Sequence, residues 1–319
     1  MTTVLKGQAQ VDFMPSALTG VLFSVALFLA GWEYALYGLA GTAVGTATAH
    51  LLGVERGRIA AGLEGFNACL VALGSAVLLG PDRPATVVVA LVACVLVTVV
   101  TGAVARVLGT WALPTLTLPF CLTATGIALA APGLPRVWPH GAEVAALPRP
   151  VGGGAAPDLT DLWHAFFANV GQIFFMPQWY VGLVFLVGIF AADRRAGALA
   201  CVGSVTGTLT AWALGVPADQ IASGVPGYNS VLVAMALCGV FLIADRWSLA
   251  YAVLGSAAAT AATPALGSFF APSGGHAFTW PFVLVTLLFL AAAPAFPRLR
   301  TPLPAPAPSD THPDGAAAP

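Results

Sequence analysis

The chain has 319 residues, of which 58% are hydrophobic and only 8% are charged, and its formal net charge is −1. Soluble domains average about one-quarter charged residues, so this composition excludes an ordinary soluble fold and predicts a protein whose solvent is lipid. With no basic run of useful length and no excess of positive charge, nucleic acid is not expected as a partner.

Apolar segments follow one another along the chain, and each approaches the roughly 20 residues that cross hydrocarbon. They predict an all-α membrane protein with ten spans, five in each half, at 16–34, 36–53, 59–80, 85–105, 112–132, 165–192, 196–215, 221–243, 247–263 and 277–297. With a cytoplasmic N-terminus, nine of the twelve Lys and Arg residues fall on the cytoplasmic side. The positive-inside bias therefore predicts that both termini are cytoplasmic.

Two stretches stand apart from this apolar pattern. Residues 133–160 are rich in Gly and Pro and predict an external linker. Residues 298–319 are rich in Pro and Ala and predict a disordered cytoplasmic tail. They leave 1–132 and 161–297 as two units of similar length. The five cysteines lie singly in apolar segments without metal-ligand spacing, so buried free thiols are expected.

A single offset of 162 residues aligns unusual residue types in the two units. The aligned pairs are Gln10 with Gln172, Phe13 with Phe175, Gly62 with Gly224, Phe66 with Tyr228, Asn67 with Asn229, Leu70 with Leu232, and Thr117 with Thr279. Chance similarity between apolar sequences would align Ala, Leu and Val instead. Because each unit has an odd number of predicted spans, the two copies are expected to form inverted-topology repeats with a site between them near the midplane.

The aligned polar residues are candidates for that site, since polar side chains in lipid are costly unless they face protein or water. Gln10 and Gln172 each offer an uncharged carbonyl acceptor. Thr117 and Thr279 lie two residues before a proline, where a helix is broken or begins anew and frees backbone carbonyls. The alternative for these threonines is a hydroxyl bonded back onto its own helix.

The sequences GLEGFN (62–67) and GVPGYN (224–229) each lead into an apolar segment. Glycine permits a tight turn, and Asn can cap the helix that follows, so each predicts a loop leading into a short half-helix. Phe66 and Tyr228 then occupy equivalent positions, with Leu70 and Leu232 one turn further on the same face. Paired aromatics of this kind could form a flat slot, although core packing is their commoner role.

A lining of Gln, Thr, aromatic and Leu side chains carries no charge. It offers an ion no counter-charge, whereas a small planar neutral solute such as urea can exchange its hydrogen bonds with water for those of the wall. The alternative solutes are ammonia and short-chain amides. No catalytic motif, metal cluster or cofactor motif is present, so no enzyme activity, no metal and no cofactor are expected. A membrane-embedded enzyme or scaffold is the remaining alternative.

Several segments resemble the urea transporter family. The loop and half-helix segments GLEGFNACLVAL and GVPGYNSVLVAMALCG, the first segments of each unit, GQAQVDFMPSALTG and GQIFFMPQWYVG, and the proline-broken LPTLTLPF carry this resemblance. It implies ten spans in two inverted five-helix repeats, each with a re-entrant pore half-helix. It also implies facilitated diffusion of urea through one channel per subunit of a homotrimer. High Ala, Gly and Arg with a single Lys indicates a bacterial protein of the inner membrane.

The resemblance also assigns roles by position. It implies that Gln10 and Gln172 are the acceptors of an outer and an inner site, and that Thr117 and Thr279 line the central section. Aromatic stacking is implied for Phe13, Phe66, Phe175 and Tyr228, and a narrow middle for Val11, Leu70, Ile173 and Leu232. Bacterial members often carry Glu at one of the Gln positions, whereas this chain has Gln at both.

Overall fold

The computed structural model describes residues 1–138 and 156–302. Throughout this part the chain is helical and contains no strand. The first half comprises α1 (Thr2–Ala9), α2 (Ala17–Ala30), α3 (Trp32–Leu51), α4 (Arg56–Ala60), α5 (Phe66–Leu79), α6 (Pro84–Gly109) and α7 (Leu118–Ala130). The second comprises α8 (Leu159–Gly171), α9 (Trp179–Ala192), α10 (Arg194–Ala213), α11 (Ala218–Ala222), α12 (Tyr228–Met235), α13 (Arg246–Phe270) and α14 (Trp280–Ala292).

The two halves repeat the same helices. Each of α9 to α14 begins 162 residues after its equivalent among α2 to α7, and α1 and α8 end 162 residues apart, at Ala9 and Gly171. The offset read from the sequence is therefore an offset between equivalent helices. Insertion of the two halves from opposite faces of the membrane stays a prediction, as do the predicted domain boundaries. Residues 139–155 of the predicted linker and 303–319 of the predicted tail lie outside the described residues.

By length and composition, α6, α10 and α13 are each sufficient to cross a membrane. The pairs α1 with α2 and α8 with α9 also qualify if each bent pair counts as one span, and the two bends measure 76° and 75°. The segment 165–192, expected as one span, consists of two helices, because α8 ends at Gly171 and α9 begins only at Trp179. The ten-span count stays a prediction.

Both bends have the same local cause. Phe13 and Phe175 adopt left-handed conformations, with φ of 63° and 64°, immediately after a short 3₁₀ turn. A left-handed residue ends a helix, and the proline two positions later, Pro15 or Pro177, cannot donate to a continuing one. The chain therefore turns sharply after α1 and again after α8.

The halves pack together through α2 and α9. The ring of Phe23 lies edge-on to Phe185 and Phe174, with ring centroids 4.9 and 5.3 Å away. Gly188 permits this approach, because a Cβ there would lie 2.8 Å from the Phe23 ring. Close packing at a small residue is the usual means of helix association in lipid. Thr19 Oγ1 donates to the Gly188 carbonyl at 3.1 Å, which adds a hydrogen bond between the halves.

Candidate functional site

The glycine-rich loops lead into α5 and α12 as expected, but the asparagines do not cap these helices. Gly65 and Gly227 occupy the N-cap positions, and Asn67 and Asn229 lie within the first turn. The predicted capping role was therefore wrong. Because both asparagines are helical residues of the first turn, their side chains lie on the outer surface of the helix, where they reach a neighbouring one.

That neighbour is the proline-containing helix of the same half. Asn67 Oδ1 accepts a hydrogen bond from the backbone N–H of Phe120 at 3.2 Å. In the second half, Asn229 Oδ1 accepts from the N–H of Phe282 at 3.1 Å. The amide oxygens therefore satisfy first-turn donors of α7 and α14, which would otherwise lack an intrahelical partner.

Because the asparagines accept these N–H groups, the threonines at the N-termini of α7 and α14 do not need to cap them. Thr117 and Thr279 are themselves the N-cap residues of α7 and α14, yet neither side chain makes a cap hydrogen bond. An N-cap threonine ordinarily accepts from a first-turn N–H, and here the asparagines take that role. The prediction that a helix begins anew at each proline is confirmed, with Pro119 and Pro281 in the first turns.

The released hydroxyls meet between the halves. Thr117 Oγ1 and Thr279 Oγ1 lie 2.7 Å apart and share a hydrogen bond, although 162 residues separate them in the chain. Cys121 Sγ lies 3.1 Å from Thr279 Oγ1 and adds a third polar group on one side. Both threonines are almost fully buried. The alternative in which each hydroxyl bonds back onto its own helix does not occur.

The residues just before these threonines carry backbone carbonyls that the two asparagines hold in place. Leu116 and Phe278 have positive φ, at 49° and 40°, an unfavourable conformation for residues with a side chain. Asn67 Nδ2 donates to the Leu116 carbonyl at 3.4 Å, and Asn229 Nδ2 to the Phe278 carbonyl at 3.5 Å. The hydroxyl of Tyr228 also donates to the Phe278 carbonyl. No equivalent hydroxyl exists in the first half, where Phe66 takes that position.

The two glutamines occupy matching positions at the ends of α1 and α8. Gln10 Nε2 donates to the carbonyl of Ala61 at 2.9 Å, and Gln172 Nε2 donates to the carbonyl of Ser223 at 2.9 Å. Since a carbonyl can only accept, each amide nitrogen must face the protein. Each Oε1 is the free end of the amide, with no protein donor recorded in the described part of the chain. Both glutamines are half-buried.

Glycine makes this anchoring possible. Gly62 and Gly224 follow the accepting loops with φ of 84° and 78°. A Cβ on Gly62 would lie 2.6 Å from the backbone nitrogen of Gly7, and one on Gly224 would lie 2.4 Å from the backbone carbon of Ala168. Only glycine combines this conformation with such close approach to the helix that carries the glutamine.

The aromatic residues link the halves. Phe13 lies edge-on to Phe282 of the second half, with centroids 6.2 Å apart, and Phe175 lies 5.9 Å from Phe120 of the first half. Phe66 is half-buried and Tyr228 is buried. No ring contact joins Phe13 to Phe66 in the described chain, so each predicted stacking surface consists of separate rings.

Two further aromatics were missed by the sequence reasoning. Phe120 and Phe278 lie 5.5 Å apart, edge to face, beside the threonine pair. Phe120 aligns with Phe282 in the repeat, and this was the available signal for it. Phe278 aligns with Leu116, so the repeat gave no aromatic signal there.

The remaining candidates differ in how far they are buried. Four candidate side chains are at most 2% exposed and belong to one apolar core: Val11, Leu70, Ile173 and Leu232. Those that remain partly accessible are Gln10, Phe13, Phe66, Gln172 and Phe175. The candidate residues thus divide into a partly accessible group and a buried group, and the threonine pair belongs to the buried one.

The carboxylates that do not repeat stand outside this set. Glu64 Oε1 lies 2.7 Å from Arg58 Nη2 and is thereby paired. Asp12 is fully buried, and neither of its carboxyl oxygens has a hydrogen-bond partner among the residues that the structure describes. Within the described residues no group of three or more His, Cys, Asp or Glu side chains could hold a metal ion.

Comparison with known proteins agrees with the motifs. A sequence model described as urea transporter matches residues 1–294, nearly the whole chain. The chain belongs to the urea transporter family. Among its relatives, urea transporter 1 of Mus musculus is 32% identical over 314 residues, which cover 95% of this chain and 80% of the relative. Urea transporter 1 of Ovis aries is 32% identical over 302 residues, covering 93% and 78%.

The resemblance seen in the sequence is therefore confirmed. Urea transporters are multi-pass membrane proteins that move a solute, so this family member is not an enzyme. The matched range includes the threonine pair with Cys121, and both glutamines, Gln10 and Gln172. The geometry described above thus belongs to the part of the chain that matches the family.

Proposed function

We propose that this protein conducts urea passively across the membrane, through a narrow uncharged path where the two repeats meet. The observation that carries the proposal is the 2.7 Å contact between the hydroxyls of Thr117 and Thr279. One hydroxyl comes from each half, and the surroundings are apolar and aromatic. A polar pair in such a position is costly unless it serves a solute or seals the interior.

Urea matches the hydrogen-bonding groups along this path. It presents four coplanar N–H donors and one carbonyl acceptor. Gln10 Oε1 supplies an acceptor at one mouth and Gln172 Oε1 at the other, because both amide nitrogens are bound to backbone carbonyls. At the centre, the hydroxyls of Thr117 and Thr279 exchange their mutual bond for bonds to the solute. Such exchanges change the free energy little, since a hydrogen bond contributes only about 0.5–1.5 kcal/mol net.

Ions are excluded by the same arrangement. The side chains of Val11, Ile173, Leu70 and Leu232 are apolar and closely packed. An ion in this section would lose its water and meet no opposite charge, which costs several kcal/mol or more. A neutral planar molecule meets no such barrier, so flux should follow the urea gradient without ion coupling.

The same proposal includes the arrangement in the membrane. We infer ten spans in two inverted repeats, with α5 and α12 as the pore half-helices and both termini in the cytoplasm. Supporting this are the constant 162-residue offset between equivalent helices and the uneven distribution of basic residues. One channel per subunit of a homotrimer in a bacterial inner membrane follows from the family resemblance.

Urea equilibration in proteoliposomes tests the proposal. Liposomes containing the protein should equilibrate urea much faster than empty ones, without an ion gradient. Gln172→Leu removes one acceptor and should slow urea at least fivefold, the effect of about 1 kcal/mol in a barrier. Gln220→Leu changes an exposed glutamine of α11 and should leave the rate unchanged. Rates equal to those of empty liposomes would refute urea conduction, and faster ammonia or acetamide flux would favour the alternative solutes.

A further inference from the structure

A cavity of about 700 Å³ lies on the first half, away from the threonine pair. Its size falls within the roughly 300–1,000 Å³ typical of ligand sites. Helices α3 and α6 form its sides and α5 its floor. Its apolar lining consists of Leu36, Ala40, Gly41, Ala72, Val87, Val88, Ala90, Leu91 and Cys94. We call this cavity the α3–α6 groove.

The groove opens toward the lipid. Leu36 and Val88, on opposite walls, are 50% and 60% exposed, although each is strongly apolar. In a membrane protein such side chains face hydrocarbon, and a groove between them suits an acyl chain. An acyl chain alone would give no selectivity, because every phospholipid carries one.

Selectivity can come from the end of the groove, which is polar. Glu33 of α3 and Asp82 of the loop before α6 both line it, together with Trp32, Tyr37 and Arg83. An exposed tryptophan beside charged residues is typical of the membrane–water boundary, and Trp32 is 57% exposed. The polar end of the groove thus lies where a lipid headgroup would lie.

The two carboxylates at this end have no cationic partner among the described residues. Arg83 lines the same end, but its Nη1 donates to the backbone carbonyls of Val137 and Leu79 at 2.6 and 3.5 Å, and its Nη2 to that of Arg136 at 3.5 Å. Within the described residues, neither Glu33 nor Asp82 forms an ion pair. Among the described residues that line this end, two carboxylates therefore lie outside any ion pair, beside one guanidinium that backbone carbonyls hold in place.

The second half lacks this feature. At the positions equivalent to Glu33 and Asp82 stand Arg195 and Ala244. Asp245, equivalent to Arg83, is paired with Arg300 at 3.2 Å. The uncompensated carboxylates are thus confined to one half, although the helices that form the groove occur in both.

We propose that the α3–α6 groove binds a phospholipid with a primary-amine headgroup. The acyl chain lies between α3 and α6, and the ammonium donates to Glu33 and Asp82. The charge of Arg83 lies on the side of the headgroup phosphate. A primary ammonium can donate three hydrogen bonds, whereas a choline headgroup has no N–H and an anionic glycerol headgroup is repelled by the carboxylates. This site is independent of the urea path.

Native mass spectrometry of the full chain tests the proposal. The protein is equilibrated with phosphatidylethanolamine, phosphatidylcholine and phosphatidylglycerol of identical acyl composition. Phosphatidylethanolamine should be retained at least fivefold more than either of the others. The double variant Glu33→Gln, Asp82→Asn should lower its retention to the phosphatidylcholine level. Arg195→Gln, at the position equivalent to Glu33, should leave the preference unchanged.

Three results would overturn the proposal. One is equal retention of phosphatidylethanolamine and phosphatidylcholine by the unaltered protein. Another is an undiminished preference in the double variant, whose folding is checked by its thermal unfolding. The third is occupation of the groove by a second copy of the chain, shown by efficient disulfide cross-linking of a Val88→Cys variant in membranes. Val88 is sufficiently exposed for such cross-linking.

Discussion

The asparagines that join the half-helices to the proline-containing helices allow a paired test. Asn67→Ala and Asn229→Ala each remove the acceptor of a buried first-turn N–H, that of Phe120 or Phe282. Both phenylalanines are at most 1% exposed, so water cannot replace the lost acceptor. A buried donor left without a partner costs about 1–3 kcal/mol, so each substitution should destabilise the protein by this amount.

The two substitutions should nevertheless differ. In Asn67→Ala the Leu116 carbonyl loses its recorded donor, whereas in Asn229→Ala the Phe278 carbonyl keeps the hydroxyl of Tyr228. One net hydrogen bond contributes about 0.5–1.5 kcal/mol, so Asn67→Ala should be the more destabilising variant by that difference.

Thermal unfolding of the purified variants measures this difference as apparent Tm. Adding Tyr228→Phe to Asn229→Ala removes the remaining donor and should bring its Tm down to that of Asn67→Ala. Equal Tm values for the two single variants, or a lower one for Asn229→Ala, would contradict the assigned hydrogen bonds. If the Tm of the Asn229→Ala, Tyr228→Phe variant falls well below that of Asn67→Ala, the Tyr228 hydroxyl has another role.

Three other substitutions have expected outcomes. Asp12→Leu should raise the apparent Tm, because it removes a buried carboxyl without partners, whose cost is about 1–3 kcal/mol; a lower Tm would indicate a partner. Gly224→Ala should abolish monodisperse protein in gel filtration, since a Cβ would lie 2.4 Å from the Ala168 carbonyl carbon. Glu64→Gln should change the stability by less than about 1 kcal/mol, because its partner Arg58 is 45% exposed and screened by water; a large loss of Tm would refute this.

The repeat was predictable from the sequence because it depends on residue identity at fixed spacing. The offset between Gln10 and Gln172, or between Thr117 and Thr279, is also the offset between the starts of the equivalent helices. Proline likewise has a local effect that does not depend on the rest of the fold, so the new helix starts beside Pro119 and Pro281 could be foreseen.

Contacts between distant segments were not predictable in the same way. Asn67 was expected to cap its own helix, but its partner is Phe120 in another helix, which only the packing of α5 against α7 reveals. The break before α9 was missed because most residues of 165–192 are apolar, and hydropathy does not report a left-handed residue such as Phe175. Single-sequence patterns identify the type of an element better than they locate its end.

The site residues were predictable from the sequence only in part. The repeat selected Thr117 and Thr279 without showing that their hydroxyls would meet, since contact depends on how the halves pack. It could not select Phe278, whose equivalent is Leu116, or Cys121, whose equivalent is Val283. These two residues make the centre asymmetric, and a pattern based on equivalence necessarily omits them.

The most direct test of the central claim is the urea permeability of proteoliposomes containing a Thr117→Val, Thr279→Val variant, measured by stopped-flow light scattering. Valine keeps the shape of threonine and removes only the hydroxyl. The permeability should fall at least tenfold, the effect of about 1.4 kcal/mol. Thr286→Val is the matched control and should conduct normally, because Thr286 is a buried threonine of α14 whose hydroxyl has no hydrogen-bond partner in the described part of the chain. Unchanged urea permeability in the double variant would contradict a path between the two hydroxyls.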